Sequence, residues 1–517
     1  MTSPRCSALA AFAAATLWLG SAAAQELRLD AAGGSMPGTL TLLARPGLFP
    51  FELILIVPST SSGPTPVQLI DPLDPRVLSV GLDLVGSAFL GFADLNGDLS
   101  IPLPLTSAPA LVDQALFFQA VTFLWSPTLL DRISNPDVIR LGLAGSFRDR
   151  SVFFQNERAF ASVLPRADRT WLLVGGARGQ LLAQVATANN EIYDPMTDAF
   201  TAGPSLNAPR SLHTATQLPN GTWLIAGGVN ATNDPQATCE VYDPVADTFT
   251  PVATMNSARM GHTATLLGNG KVLVTGGIQA MPITPTQLQP IRETVNSTEL
   301  YDPIADTWTP GPNLSTPRAG HVGIQRPDGK VLLAGGISWD PNFLFGWLPA
   351  VRRSCDLYDP VANTIGSAPQ MAVARSLIDP IDLGGGKWLV AGGINGITII
   401  PFNPGNPTPT AEVYDALANT WTSVGAMAAA RGNHKSWRLP NGTFLLAGGA
   451  NGSILSPTSL STTEIFNPAT NTFSAGPALT SPRAGAAAFA TPQGQVMLFG
   501  GASTGGVISK STEWYYF

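Results

Sequence analysis

A Gly-Gly pair that recurs seven times constrains the fold of this chain more than any other feature. The pairs begin at residues 175, 227, 276, 335, 392, 448 and 500, so neighbouring pairs are 49 to 59 residues apart. An arginine lies 17 residues before the first glycine of every pair. A repeat of 20–50 residues is typical of architectures in which each unit buries its apolar surface against its neighbours. The sequence therefore predicts seven copies of one structural unit.

Other residue types also recur at corresponding positions of the repeat. Three residues after the arginine, four copies have a histidine; a Tyr-Asp or similar pair follows the glycines, and seven residues after the tyrosine most copies have an aromatic residue. We expect these repeat positions to be structural: Arg210, His213, Gly227, Gly228, Tyr242, Arg259, His262, Gly276, Gly277, Tyr301, Trp308, Arg318, His321, Gly335, Gly336, Tyr358, Gly392, Gly393, Tyr414, Trp421, Arg431, His434, Gly448 and Gly449. The arginines are expected to bind backbone carbonyls between units. The alternative is that several of them line a central channel and bind an anion or an acidic sugar.

Each unit contains the signals of four short strands. An apolar segment leads to an Asn-Gly or Asp-Gly turn, as at Asn220-Gly221, and a second apolar segment ends at the Gly-Gly pair. The tyrosine lies in a third strand and the aromatic residue opens a fourth. The order Arg-x-x-His, Gly-Gly, Tyr-Asp-Pro and Trp over residues 158–517 resembles the kelch repeat family. That resemblance implies an all-β fold, a seven-bladed kelch β-propeller with the architecture of the galactose-oxidase central domain. The seventh unit ends before its fourth strand, so we expect residues 151–155 to supply that strand and close the ring.

The remaining sequence predicts two further regions. Residues 1–24 contain one arginine, an Ala-rich apolar stretch and small residues at 22–24, as in a cleaved signal peptide, so we expect a secreted, periplasmic or cell-surface protein. Residues 25–145 lack the repeat and contain short β-rich segments, which favours a small N-terminal β-sandwich-like domain before a propeller over 146–517. The net charge of −7 and the absence of basic runs argue against a nucleic-acid partner. No other segment is long and apolar enough for a membrane span.

The loop between the second and third strands carries the candidate ligand-binding residues. It varies in length while the other spacings of the unit are nearly constant, and variable loops on a rigid scaffold commonly bind partners. In the fourth unit this loop is rich in aromatic residues. The candidates are Trp339, Phe343, Phe345, Trp347, Arg352 and Arg353, with Arg292 from the third unit. These side chains either contact a ligand or pack against an adjacent blade or the N-terminal domain.

The chemistry of the family's copper enzymes is not predicted for this chain. Galactose-oxidase-like enzymes use two histidines and two tyrosines as copper ligands, whereas all four histidines here occupy the repeat position after the arginine. We therefore expect no catalytic residues, no metal and no cofactor. The sequence favours a monomeric, secreted protein that binds a protein or glycan partner through the variable loops. The alternative is a carbohydrate-active kelch-propeller enzyme, an oxidoreductase or a sugar isomerase, with an unrecognised site.

Overall fold

The structure is a computed structural model that describes residues 28–32, 35–36, 38–45, 53–66, 76–80, 84, 87–94, 96, 98–105, 112–123, 130–135, 137–150, 156–180, 183–280, 292–342, 346–398, 403–453, 456–490 and 495–516. The expected signal peptide and the segment 151–155 lie outside these residues, as do Phe343 and Phe345. The chain divides into two compact units, Met1–Ala144 and Gly145–Phe517. The described part of the chain contains β-strands and no α-helix. Within it, no helix is long and apolar enough to cross a membrane.

The first unit is built from short strands. They are β1 (Arg28–Ala32), β2 (Ser35–Met36), β3 (Gly38–Arg45), β4 (Leu53–Ser59), β5 (Ser62–Pro66), β6 (Val77–Val80), β7 (Phe89–Phe92), β8 (Leu99–Leu105), β9 (Ala115–Phe123), β10 (Leu130–Ile133), β11 (Asp137–Arg140) and β12 (Gly142–Leu143). One sheet has the order β1-β3-β8, and a second has the order β10-β9-β4-β7 with β11 also paired to β9. Alternate residues of each sheet are buried in a common core, including Leu40 and Leu42 of β3, Ile54 and Ile56 of β4, and Phe118 of β9. Two sheets around one core form a β-sandwich.

The second unit contains seven four-stranded antiparallel sheets among its described residues, each of which we call a blade. Strand β13 (Ser146–Arg150) precedes the first repeat. Blade 1 has β14 (Ser162–Pro165), β15 (Trp171–Val174), the hairpin β16 (Ala177–Gln180) and β17 (Ala183–Ala186), β18 (Glu191–Asp194) and β19 (Ala199–Ala202). Blade 2 has β20 (Thr214–Gln217), β21 (Trp223–Ala226), β22 (Cys239–Asp243) and β23 (Thr248–Val252). Blade 3 has β24 (Thr263–Leu266), β25 (Val272–Thr275), the hairpin β26 (Ile278–Ala280) and β27 (Arg292–Thr294), β28 (Thr298–Asp302) and β29 (Thr307–Pro310).

The other four blades repeat this plan. Blade 4 has β30 (Val322–Gln325), β31 (Val331–Ala334), the hairpin β32 (Ile337–Asn342) and β33 (Gly346–Val351), β34 (Cys355–Asp359) and β35 (Thr364–Ala368). Blade 5 has β36 (Ile381–Gly384), β37 (Lys387–Ala391), the hairpin β38 (Ile394–Thr398) and β39 (Asn403–Pro407), β40 (Ala411–Asp415) and β41 (Thr420–Val424). Blade 6 has β42 (Lys435–Arg438), β43 (Phe444–Ala447), the hairpin β44 (Ala450–Ser453) and β45 (Ser456–Ser459), β46 (Thr463–Asn467) and β47 (Thr472–Ala475). Blade 7 has β48 (Ala487–Ala490), β49 (Val496–Phe499) and β50 (Thr512–Tyr516).

The fourth strand of blade 7 comes from the N-terminal side of the repeats, as a ring closure requires. That strand is β13, which pairs antiparallel with β50 and places Phe147 opposite Tyr515. The expected donor, residues 151–155, is therefore wrong in position, because the closing strand lies five residues earlier. Phe147 packs against Tyr515 with the rings tilted by 45° and their centroids 4.8 Å apart, as Phe249 packs against Tyr242 in blade 2. The sequence repeat did not reveal this aromatic residue because it precedes the first arginine.

Backbone hydrogen bonds join each blade to the next around the ring. The N–H of the second glycine in each pair donates to the carbonyl of the following repeat's arginine, at 2.9 Å in all seven cases. The series ends with the Gly501 N–H, which donates to the Arg158 carbonyl of the first repeat. These glycines adopt positive φ, and a Cβ on Gly228 would lie 2.4 Å from the Ser211 carbonyl oxygen of the same repeat. A Cβ on the first glycine of the pair, Gly227, would lie 2.6 Å from the Arg259 carbonyl oxygen of the next repeat. Glycine is therefore required where the backbones of adjacent repeats meet.

The core of this unit lies between neighbouring blades. One apolar cluster joins Leu224 and Ala226 of β21 to Val272, Val274 and Tyr301 of blade 3. Similar clusters lie between the other blades, including one that joins blades 1 and 7 through Tyr193 and Trp514. The second strands are mostly apolar because both of their faces are covered, with Lys387 at the exposed start of β37 and Thr275 at the end of β25 as exceptions.

Candidate functional site

The repeat arginines form a ladder of buried ion pairs. Their side chains are at most 2% exposed. In blade 3, Arg259 Nη1 donates to the carbonyls of Gly276 at 2.7 Å and Ser297 at 3.1 Å, and Nη2 donates to Glu299 at 2.6 Å. Burial lowers the pKa of Arg259, and the attraction of Glu299 opposes that shift. The same contacts recur in every blade, so each guanidinium is bound to its own blade.

Each repeat arginine has an acidic partner that was not predicted from the sequence. It lies two residues before the repeat tyrosine or its equivalent: Glu191, Glu240, Glu299, Asp356, Glu412, Glu464 and Glu513. The spacing is constant, so the signal was present in the sequence. Each carboxylate also accepts backbone N–H bonds from the segment before its arginine, as Glu299 does from Asn256 and Ser257. The pair therefore fixes the connection between blades.

The loops between second and third strands form β-hairpins in blades 1 and 3 to 6, and we call the surface that these loops make the hairpin face. Strand β27 contacts β32, β33 contacts β38, and β39 contacts β44, so the hairpins of blades 3 to 6 lie side by side. The backbone N–H of Trp339 donates to Thr294 Oγ1 of the preceding hairpin at 2.8 Å. The blade 1 hairpin bridges the blade 7 loop at Gln180 and Val507. Because strands alternate in direction, the blade-to-blade connections open onto the same face.

The candidate ligand-binding residues have different environments on this face. Trp339 is half-buried on β32, and Arg353 is exposed just after β33. Arg352 is half-buried and its Nε donates to the buried Ser338 hydroxyl at 2.7 Å, which places it in the support of the hairpin. Arg292 lies in β27 and Trp347 in β33, where their backbones are hydrogen-bonded. Phe343 and Phe345 are outside the described residues.

A second feature surrounds the central axis, where the first strands of neighbouring blades contact one another. The residue two positions after each arginine has a positive φ of 52° to 62°, whether or not it is glycine. These residues are Phe160, Leu212, Gly261, Gly320, Leu377, Asn433 and Gly485. The backbone N–H of one such residue donates to the carbonyl of the equivalent residue in the preceding repeat. Leu377 donates to Gly320 at 2.9 Å, for example, and Gly485 donates to Asn433 at 3.1 Å. Bulky residues rarely adopt this conformation, and such strain concentrates at functional sites. We call this series the axial ring.

Three of the four histidines support the blades beside the axial ring. Nε2 of His213 bonds Ser162 at 3.0 Å, that of His262 bonds Thr214 at 3.0 Å, and that of His321 bonds Thr275 at 2.8 Å. Burial, followed by the charge of the neighbouring arginine, lowers the pKa of His213 and of His262 to about 3. These imidazoles are therefore neutral at physiological pH.

His434 departs from this pattern. It is 2% exposed, and neither ring nitrogen has a hydrogen-bond partner among the described residues. Among the described residues, His434 therefore lacks the hydrogen bond to the preceding blade that the other three histidines make. The reason lies in the preceding blade, where Asp379 replaces the serine or threonine that the other histidines bond, and Asp379 pairs with Lys435 Nζ at 3.0 Å instead.

The opposite face of the unit consists of short, nearly constant turns. Four turns between third and fourth strands, in adjacent blades, present an exposed aliphatic residue. These are Val245, Ile304, Val361 and Leu417, which are 78% to 97% exposed. This face provides matched control positions for experiments on the hairpin face.

Comparisons with known proteins agree with this architecture. The Kelch motif family model matches residues 209–256. The F-box/kelch-repeat protein SKIP4 of Arabidopsis thaliana is 25% identical over 130 residues, which span 25% of this chain and 33% of that protein. A fungal alcohol oxidase of the AA5 family, solved with copper, aligns with 72% of this chain and 76% of its own at 18% identity and a TM-score of 0.54. YjhT aligns with 59% of this chain and 94% of its own at 16% identity and a TM-score of 0.45.

These findings agree on the fold of the chain and on the motif that it repeats. The blades and the alcohol-oxidase alignment establish an all-β fold of the propeller type. The Kelch motif matches one repeat, and the Gly-Gly and arginine pattern of that repeat recurs seven times, so the chain contains kelch-type repeats.

The donor set does not fit the copper ion of the oxidase structure. Three imidazoles here are bonded to hydroxyl groups of the preceding blade, and the described residues contain no group of three or more His, Cys, Asp or Glu placed to hold a metal. We derive no chemistry through a metal in this chain.

Proposed function

We propose that this kelch-repeat protein is a binding protein that recognises a protein or glycan partner through the hairpin face. The observation that carries the proposal is the side-by-side arrangement of the hairpins of blades 3 to 6. Kelch repeats commonly mediate protein interactions, and hairpins of different length on a regular scaffold give a surface that can vary without disturbing the blades.

The accessible side chains of blade 4 suit such a contact. Trp339 is half-buried and Arg353 is exposed, and tryptophan and arginine are enriched among residues that dominate binding energy. Trp339 is also tied through its backbone to Thr294, so its position is fixed before a partner arrives. A fixed anchor loses little conformational entropy on binding.

The test compares the native protein with two variants, Trp339→Ala and Arg353→Glu, and with Val361→Ser as a matched control on the opposite face. Binding is measured on a glycan array and by quantitative pull-down from the native cell surface, with thermal unfolding as the folding control. We expect about tenfold or greater loss of the captured partner for the hairpin variants and none for the control, since an anchor contributes 1–2 kcal/mol or more. Equal capture by all three variants would refute the proposal, and loss with Val361→Ser alone would assign binding to the other face.

We also propose that the protein is exported and acts as a monomer. The support for export is the residue pattern of 1–24, with one early arginine, an apolar stretch and small residues before Gln25. N-terminal sequencing and light scattering of the protein recovered from its native source test both statements.

A further inference from the structure

The two sheets of the first unit end in edge strands, and β7 is one of them. Among the described residues, β7 pairs with β4 alone, so no strand of that part of the chain covers its other side. The open side of an edge strand is a template for pairing with another chain. Proteins protect such edges with proline, charged residues or a covering segment, and the edges of this unit differ in that protection.

The other edges of the two sheets are protected. Strand β8 contains Pro102 and Pro104, which are exposed and cannot donate N–H bonds to a further strand. The edge of β1 is covered by Asn135, whose side chain accepts from the Leu29 N–H at 3.3 Å and donates to the Leu29 carbonyl at 3.1 Å. Strands β10 and β11 share the last edge, and both contain charged residues, as at Asp131-Arg132.

Strand β7 has none of this protection. Its sequence is Phe-Leu-Gly-Phe, without a charge or a proline. Gly91 pairs with the buried Ile54, and the Leu99 side chain fills the space that a Cβ on Gly91 would need, so this position faces the core. Leu90 and Phe92 therefore lie on the outer face, where they are 62% and 66% exposed. Among the aromatic side chains that the structure describes, none is as exposed as Phe92.

The exposed side chains of β7 belong to an apolar patch on the outer face of the sheet. In the strand register, Leu90 lies opposite Leu55 and Phe92 lies opposite Leu53, and both leucines of β4 are half-buried. Contiguous apolar surface of this kind marks an interaction site. A strand added beside β7 would place every second side chain next to Leu90 and Phe92. The patch therefore favours a strand with apolar residues at alternate positions.

We infer that β7 binds an extended segment of a partner protein, which pairs with this edge and adds a strand to the sheet. Backbone hydrogen bonds supply the affinity in this mode of recognition, and alternate side chains supply the specificity. The four residues of β7 span about 13 Å. Two copies of the chain paired through so short an edge would bury much less than the roughly 1,200 Å² of a stable interface. A short peptide segment is the occupant that this length suits.

The charges at one end of β7 indicate the direction of the segment. The strand is followed by a turn with the exposed Asp94 and the half-buried Asp98, in which the N–H groups of Asn96 and Asp98 donate to Asp94 Oδ1 at 2.8 and 3.0 Å. The strand pairs of this sheet are antiparallel. An antiparallel segment places its N-terminal end beside this turn, where a lysine or arginine would face the carboxylates. The segment therefore has a basic residue followed by uncharged residues that are apolar at alternate positions.

The test uses a synthetic heptapeptide, Lys-Thr-Val-Thr-Val-Thr-Val, acetylated and amidated so that its ends carry no charge. One counterpart has glutamate in place of the lysine, and a second has N-methyl groups on the alternate amides that would donate to β7. Binding to the full chain is measured by fluorescence anisotropy, and hydrogen exchange of the β7 amides is followed by mass spectrometry. Phe92→Lys and Leu90→Lys alter the site. Ser100→Lys is the matched control, because it places the same charge at an exposed position of the protected edge strand β8.

We expect the lysine peptide to bind and to slow hydrogen exchange in β7 by at least about tenfold, because new backbone hydrogen bonds protect the amides. Each β7 variant should bind the peptide at least about tenfold more weakly, since a lysine on an edge strand opposes pairing. Ser100→Lys should retain binding, and the glutamate and N-methylated peptides should bind more weakly than the lysine peptide. The exchange measurement on the native protein does not depend on the folding of any variant.

Unchanged exchange of β7 at millimolar peptide would overturn the inference, as would equal binding of the N-methylated peptide. A native protein that sediments as a dimer, and as a monomer after Phe92→Lys, would assign this edge to a second copy and would also overturn it. The site lies in the first unit and does not depend on the partner of the hairpin face. Trp339→Ala should therefore leave peptide binding unchanged, which distinguishes failure here from failure of the proposed function.

Discussion

Replacing Glu299 by glutamine tests the buried ladder that joins the blades. The carboxylate accepts bonds from Arg259 Nη2 at 2.6 Å, from the backbone N–H and side-chain amide of Asn256 at 2.6 and 2.7 Å, and from the Ser257 N–H at 3.2 Å. Glutamine keeps the shape but leaves the Arg259 guanidinium buried without a counter-charge. Removal of one partner of a buried ion pair costs about 3–5 kcal/mol. We therefore expect Glu299→Gln to lower the free energy of unfolding by about 3–5 kcal/mol.

The assay is urea unfolding followed by tryptophan fluorescence, with Lys271→Met as the control. Lys271 pairs with Asp302 at 3.1 Å, but these side chains are 39% and 27% exposed, so the control should lose at most about 1 kcal/mol. The double variant Arg259→Met with Glu299→Gln should lose less than the sum of its single variants, because no uncompensated charge remains. A Glu299→Gln loss as small as that of the control would refute the role of the ladder.

Three further predictions concern the ring and its histidines. Phe147→Ala should lower the stability of the second unit by about 3–5 kcal/mol, because this buried ring completes blade 7; an unchanged unfolding midpoint would contradict closure by β13. Gly228→Ala should prevent stable folding, since the added Cβ would lie 2.4 Å from a backbone oxygen. Gly221 has a similar φ but open space around it, so Gly221→Ala should lower the free energy of unfolding by about 1 kcal/mol. Circular dichroism and thermal melting of both variants test this difference. The pKa values of His213 and His262 are lowered to about 3 in the folded protein, so between pH 3 and 6.5 the unfolded chain binds more protons at these residues than the folded protein does. The free energy of unfolding should therefore be highest above pH 6.5 and decrease as the pH falls through this range. Each histidine contributes up to about 1.4 kcal/mol per pH unit to the dependence of the unfolding free energy on pH. His262→Asn should make this dependence less steep in urea titrations at several pH values, and an unchanged dependence would exclude His262 as a contributor.

Much of the fold followed from the sequence because its elements repeat. The Gly-Gly and arginine spacing predicted the strands, since a backbone contact needed in every blade leaves the same residues at the same intervals. The acidic partners such as Glu299 were equally regular, but no local rule pairs residues about 40 positions apart. The predicted position of the closing strand was five residues too late, because this strand occurs once and has no repeated spacing from which its position could be derived.

The contact between Asp379 and Lys435 could not have been predicted in the same way. Asp379 and Lys435 are 56 residues apart, and each follows an arginine by four positions, where the other repeats have serine, threonine, valine or alanine. They meet because first strands of adjacent blades converge on the axis. His434 looked like a fourth structural histidine, and only the identity of its neighbour across the blade boundary separates it from His262.

The sequence by itself therefore determined the repeated architecture: the four strands of each blade sheet, the turn positions, the Gly-Gly contacts and the variable length of the loops, but not that five of these loops form hairpins. These features depend on residues close along the chain or on a period that recurs seven times. The tertiary structure alone decided which side chains face each other across blade boundaries. Ring geometry brings residues about 50 positions apart into contact, and the chemistry of those contacts differs from one boundary to the next.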